Sequence, residues 1–296
     1  MMKFVALIII LCLSQNSNAQ NVNDLLELQK DIVSKLSGHQ ALDKGIVLSS
    51  RSTRKERQIA RVFLSELIST IDLNPEYQSY SLPNENALLD LFFQPFKGAN
   101  VFTTLASTNP SDEYVVIGAH YDTERDCPGA IDNASGIAIC FGVLKKLAAL
   151  PERNMNVILV YFDQEEEFLC GSQAFAKMLV TKNFKIHSVH TLDMMGWDRD
   201  GDSAVELGLP SELLQELYTA AGEKLGIPVI TTRVNASDDY SFWELGFNKT
   251  GISDEITNGD LPPYKDTPKD TYETVNFDYI NTSTDLIFEV LKEIVK

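Results

Sequence analysis

The chain has 296 residues, of which 44% are hydrophobic and 23% charged, and a formal net charge of −17. Such a length suits one α/β domain with a large core, and no linker, repeat period or low-complexity tract divides it. The acidity argues against nucleic acid or an anionic membrane as partner; it suits a cationic ligand, whether metal ions or a peptide's ammonium group, or simply solubility.

At the N-terminus Lys3 precedes an apolar run from Phe4 to Leu13 and then a polar stretch ending in Ser17-Asn18-Ala19. This pattern predicts a secretory signal, too short to span a bilayer and cut after Ala19. A lipoprotein reading centred on Cys12 is weakened by the bulk of Leu11. The expected domain is therefore residues 20–296, exported to the periplasm or the extracellular space, with no later segment apolar enough for a membrane helix. Beyond the leader three cysteines remain, Cys127, Cys140 and Cys170. Cys140 lies in the apolar run Ile137 to Phe141 and reads as core, whereas an oxidising compartment permits a bridge between Cys127 and Cys170.

Apolar residues at helical spacing predict a first helix over about 22–36, carried by Leu25, Leu28, Ile32 and Leu36. Thr53-Arg54-Lys55-Glu56 has capping-box form and opens a second helix that reaches about Thr70. Strands follow over 98–105 and 114–119, looking hairpin-like, and then helix and strand alternate. The expected order is a helix over 135–150, a strand over 156–162, a helix after Gly171-Ser172, a strand over 187–192 and a helix over 211–224. Short strands near 229–230 and 249–252 and a helix from Ser283 complete it. This predicts a single α/β domain with a mixed, mostly parallel central sheet and helices on both faces.

Such sheets place their sites at the carboxyl ends of strands. His120 and Asp122 follow one predicted strand, Glu165 and Glu166 the next, and Asp193 a third. Any one of these groups could be solvated or cap a helix. Together, several carboxylates converging on one crevice would repel each other without a cation. Imidazole and carboxylate are the ligands that divalent zinc takes in hydrolytic sites.

Five segments carry a resemblance to the M28 family of zinc peptidases. They are Gly118-Ala119-His120-Tyr121-Asp122-Thr123, Pro128 to Gly136 around Asp132, Glu165-Glu166 with Gly171-Ser172, Asp193-Met194, and Thr267-Pro268-Lys269-Asp270-Thr271. The resemblance implies an aminopeptidase that takes peptides with a free N-terminus and uses two zinc ions. His120 and Asp193 would hold one ion and Glu166 the other, with Asp132 bridging. Glu165 would be the general base, and Asp122 would orient His120 through its second ring nitrogen. Glu167 reads as solvated, and Phe168 stands where the family usually has glycine. Met194, Tyr240, Phe242 and Tyr264 are candidates for the pocket that receives the substrate's first side chain.

The sequence departs from the family pattern where its last ligand is usually histidine: here the residue is Asp266. A carboxylate can serve zinc, but the added negative charge leaves the second site labile or tolerant of manganese or cobalt. His187 and His190 read as core or surface groups. Asp239 stands where the family often shows histidine and is given no role. A carboxypeptidase and a glutaminyl cyclase of the same superfamily remain alternatives, as does a non-catalytic peptide-binding homologue. The first would want a basic group for a C-terminal carboxylate.

Overall fold

The computed structural model describes residues 24–83, 95–234, 237–257 and 259–296, and the expected leader, residues 1–19, lies outside them. Helix α1 covers residues 24–36 and buries Ile32, Val33 and Leu36 completely. Helix α2, Arg54–Ser69, starts at the expected capping box, with Thr53 accepting from the Glu56 amide and the Glu56 carboxylate accepting from the Thr53 amide at 2.8 Å. Those reciprocal bonds satisfy two amides that the first turn of a helix leaves open.

Among the described residues eight strands form one sheet. They are β1 (Glu76–Leu82), β2 (Phe96–Leu105), β3 (Glu113–His120), β4 (Asn156–Phe162), β5 (Lys185–Leu192), β6 (Val205–Gly208), β7 (Val229–Thr232) and β8 (Lys249–Ser253). Their order is β1-β2-β4-β3-β5-β8-β6-β7. The pairings β4–β3, β3–β5, β5–β8 and β6–β7 are parallel and the other three antiparallel. The two early strands read as a hairpin do not pair, because β4 inserts between β2 and β3 and runs antiparallel to β2. Helices α3 (Gly136–Ala148), α4 (Cys170–Thr181), α5 (Glu212–Leu225), α6 (Asp239–Trp243) and α7 (Phe277–Val295) complete the fold. α7 begins six residues before the expected Ser283, because Asn276 caps it by accepting from the amides of Asp278 and Tyr279.

The central strands show why helices lie on both faces. Successive side chains of a strand point to opposite sides, and both sets are apolar here. Val115, Ile117 and Ala119 of β3, with Val157, Leu159 and Tyr161 of β4, enter the larger core beneath α1, α2, α3 and α7. Val116, Ile158, Val160 and Phe162 enter a second core with Phe175 of α4 and Phe242 of α6. Among the described residues no helix is long and apolar enough to cross a membrane. Cys127, Cys140 and Cys170 are free thiols, so the bridge that an oxidising compartment would permit between Cys127 and Cys170 is not formed; the Cys170 thiol donates to the Glu167 carbonyl at 2.9 Å.

His190 is fully buried on β5, with Nδ1 3.0 Å from the Tyr218 hydroxyl and Nε2 3.0 Å from Ser188 Oγ. It is a core group, and burial depresses its pKa to about 3. An imidazole that cannot take its proton in the folded state costs stability once the unfolded chain can. From about pH 6.5 downward stability should therefore fall by about 1.4 kcal/mol per pH unit on this account, and the His190→Gln variant should lose that slope. Urea unfolding between pH 7 and pH 4.5 measures it; parallel profiles for the two proteins would contradict it.

Candidate metal centre

Strands β3, β4 and β5 are parallel neighbours, so their carboxyl ends lie along one edge. β3 ends in His120, β4 is followed by the turn carrying Glu165 and Glu166, and β5 is followed by Asp193. The extensions remain stitched together, with the Tyr121 amide donating to the Phe162 carbonyl and the Asp193 amide to the Ile252 carbonyl, both at 2.9 Å.

His120 is fully buried at the centre. Its Nε2 stands 3.1 Å from Asp132 Oδ1 and 3.3 Å from Asp193 Oδ1, and its Nδ1 stands 3.5 Å from Asp122 Oδ1, beyond a hydrogen bond. Asp122 accepts the Glu165 amide at 2.9 Å and the Glu166 amide at 3.2 Å. One buried carboxylate thus faces the imidazole and also fixes the turn that carries both glutamates. Burial alone would lower the His120 pKa, but Glu165, Asp122, Asp132 and Asp193 outweigh it and hold the ring well above its usual value. Burial raises Glu165 well above the usual carboxylate range, against His120 and with help from Asp193 and Asp238. Burial and then Asp132 push Glu166 up to about 9.

The loop carrying Asp132 is held from three sides. The Asp270 carboxylate accepts the amides of Ile131 at 2.8 Å and Asp132 at 3.0 Å. The Asn133 side chain donates to the Leu192 carbonyl at 2.7 Å, tying the loop to the end of β5. The fully buried Arg51 donates from Nε to the Tyr121 carbonyl at 2.6 Å, from Nη1 to those of Leu36 and Pro128 at 2.5 and 2.7 Å, and from Nη2 to that of Gly129 at 2.9 Å. Gly129 has φ of +63°, and a Cβ there would stand 2.3 Å from the Asp132 carbonyl oxygen, so no other residue fits without moving the loop. The Asp132–Asn133 peptide bond is cis.

The donor set suits a zinc ion. His120, Asp132 and Glu166 each present a ligand atom within 4.8 Å of the others. Tetrahedral ligands held about 2.0–2.1 Å from zinc stand about 3.3 Å from one another; the spacings of His120 Nε2 to Asp132 and Asp193 are 3.1 and 3.3 Å. Asp132 Oδ1, moreover, is buried without a hydrogen-bond donor among the described residues. Carboxylates gathered around an imidazole with an oxygen left open form a site that a cation would satisfy.

The remaining candidates are spread more widely. Asp266 has an exposed side chain and φ of +58° on the segment leading to Asp270. Beside it, the Lys265 ammonium stands 3.8 Å from Asp132 Oδ2. Burial would lower the Lys265 pKa, but Asp132, Asp193, Asp266 and Glu166 outweigh it and raise it. Met194 is buried next to Asp193, and Tyr264 packs edge-on against Trp197 at 5.9 Å. Tyr240 lies 5.6 Å from Trp243 at the start of α6. Phe242 is fully buried against Phe162 and Phe247 in the second core, which keeps it from lining an open pocket. Asp239 is engaged in a buried ion pair with Lys249 at 2.5 Å. Phe168 adopts φ of +68°, the conformation that favours glycine, and lies exposed with its ring edge-on to Phe96.

Arg51, Lys265 and the positioning part of Asp270 are not apparent from residue type. Arg51 serves backbone carbonyls, which leave no mark in sequence, whereas Lys265 is signalled only by adjoining Asp266.

A mixed sheet that delivers imidazole and carboxylates to the ends of three parallel strands is an α/β scaffold with a candidate metal centre. Residues 100–291 match peptidase family M28, and the chain belongs to that family. Aminopeptidase YwaD of Bacillus subtilis is 28% identical over 190 residues, covering 62% of this chain and 42% of that protein. Aminopeptidase Y of Saccharomyces cerevisiae is 31% identical over 131 residues, 44% of this chain and 23% of that protein. The chain thus spans less than half the length of these curated relatives. Among solved structures, the zinc aminopeptidase BSAP from Bacillus subtilis superposes with a TM-score of 0.79 at 16% identity, over 92% of this chain and 95% of that one. Porphyromonas gingivalis glutaminyl cyclase gives 0.75 at 14% identity, over 91% and 98%. At these identities the likeness is one of fold.

Proposed function

We propose that the chain is an exported zinc-dependent aminopeptidase that hydrolyses the N-terminal residue of peptides, acting as the domain from residue 20 onward. The observation that carries the reading is the convergence of His120 Nε2 on Asp132 and Asp193 at 3.1 and 3.3 Å, with the partly buried Glu165 close to His120. His120, Asp132, Asp193 and Glu166 would hold zinc, and Asp266 is the further carboxylate at the rim. Bound zinc would acidify water and polarise the scissile carbonyl.

The protein's own groups supply the rest. Glu165 takes a proton from the attacking water and returns it to the leaving amine, a task suited to a carboxyl whose burial raises its pKa. Asp122 holds the turn so that Glu165 and Glu166 keep separate directions, and faces the free nitrogen of His120. Met194 and Tyr264 are the proposed wall of the first side-chain pocket, with Tyr240 at its edge. A carboxypeptidase would aim a basic group at the substrate's terminal carboxylate; the nearby ammonium, that of Lys265, is instead turned to Asp132. The aminopeptidase names of the sequence relatives favour the same choice.

Assay of the purified domain against aminoacyl-anilides with different first residues tests the reading. Chelation should lower turnover by at least about 100-fold and added zinc should restore it. Absence of turnover with any metal would overturn the assignment, and ammonia release from N-terminal glutaminyl peptides would transfer it to a cyclase.

A further inference from the structure

The two oxygens of Asp132 meet different neighbours. Oδ1 points at His120 Nε2, 3.1 Å away, and takes no hydrogen bond, while Oδ2 has Lys265 Nζ at 3.8 Å. If Asp132 bridged two ions, Oδ1 would serve the one at His120 and Oδ2 would face the other. Lys265 brings a fixed positive charge to that second side. Its side chain is 36% exposed, with the ammonium beside the Asp132 carboxylate. Asp266, the residue at the usual position of the last ligand, is exposed.

We propose that Lys265 takes the place of the second cation, so that the cluster binds one zinc ion tightly and disfavours another. The proposal rests on the zinc reading above and specifies its stoichiometry. Two physical effects act together. A dication near Asp132 Oδ2 would be repelled by an ammonium already facing that oxygen. The second ion would also have to share Glu166, which already groups with His120 and Asp132, and its remaining donor would be a carboxylate at the exposed rim. The tethered ammonium needs no free metal to remain in place, and it neutralises part of the negative charge that Asp132, Glu166, Asp193 and Asp266 gather there.

Equilibrium dialysis of the full domain against buffered zinc, with bound metal counted by mass spectrometry, tests this without reference to turnover. The wild-type protein should bind one equivalent. Lys265→Met, which keeps the stem and removes the charge, should bind a second equivalent at least about 100-fold more tightly than wild type does. Lys265→Arg, which keeps the charge, should remain at one. Two equivalents in wild type at the same free zinc would overturn the lysine's part and leave the metallopeptidase reading standing. One equivalent in Lys265→Met would do the same. No zinc bound by any of the three proteins would instead remove the metallopeptidase reading itself.

Discussion

Replacing Glu165 by glutamine should lower kcat by about 10²–10⁴-fold while zinc content and KM stay close to those of wild type. The expectation follows from the position of the group. Glu165 lies next to Glu166 on the turn after β4, yet only Glu166 joins the ligand group with His120 and Asp132. Its backbone amide is held by Asp122, a bond that glutamine preserves. The substitution therefore removes the ability to accept a proton and little else. Burial raises the Glu165 pKa, so a proton taken from water is retained long enough to reach the leaving amine. Steady-state kinetics with an aminoacyl-anilide, paired with metal analysis of the same sample, separates this from loss of zinc. A kcat within about 10-fold of wild type would remove Glu165 from the role.

The Arg51→Met variant should lose about 3–5 kcal/mol of stability, a drop of roughly 10 °C in Tm, and should lose activity with it. Arg51 is fully buried, and its guanidinium donates to four backbone carbonyls, of Leu36, Tyr121, Pro128 and Gly129. Methionine fills similar space but leaves those carbonyls without donors in a dry interior. Two of them, Pro128 and Gly129, begin the loop that carries Asp132, so the damage reaches the ligand cluster directly. Thermal unfolding and zinc affinity should both change. A variant with wild-type Tm would show that the carbonyls find other donors.

The parts of the site legible in the sequence were those that lie on long β-branched runs. Val115 to Ala119, Val157 to Phe162 and Ser188 to Leu192 announce strands, and a strand end announces where the next polar residue must stand. β1 was not legible, because Glu76-Tyr77-Gln78-Ser79-Tyr80-Ser81-Leu82 is an edge strand with no fully buried residue. β6 has four residues, too few for a period to show. The beginning of α7 was hidden because its first turn is polar and its cap is a single asparagine. In the candidate site, residue type pointed to the imidazole and carboxylates that could hold a metal. It could not reveal Lys265, whose part depends on which oxygen of Asp132 it approaches, or Arg51, whose partners lie at four separate places along the chain.

The support of the Asp132 loop has a consequence for how the protein comes to be active. Arg51 reaches Pro128 and Gly129 across 77 and 78 residues of chain, and Asp270 reaches Ile131 and Asp132 across 139 and 138. Contacts between such distant segments require closing long loops, which costs chain entropy. The ligand loop is thus clasped by one residue near the start of the described chain and another close to its end. A nascent or truncated chain that has built β3, β4 and β5 holds His120, Glu165, Asp193 and Arg51, yet lacks Asp270, the half of the clasp that holds the amides of Ile131 and Asp132. Assembly of the candidate site in this way waits until the C-terminal part of the chain has docked against the loop.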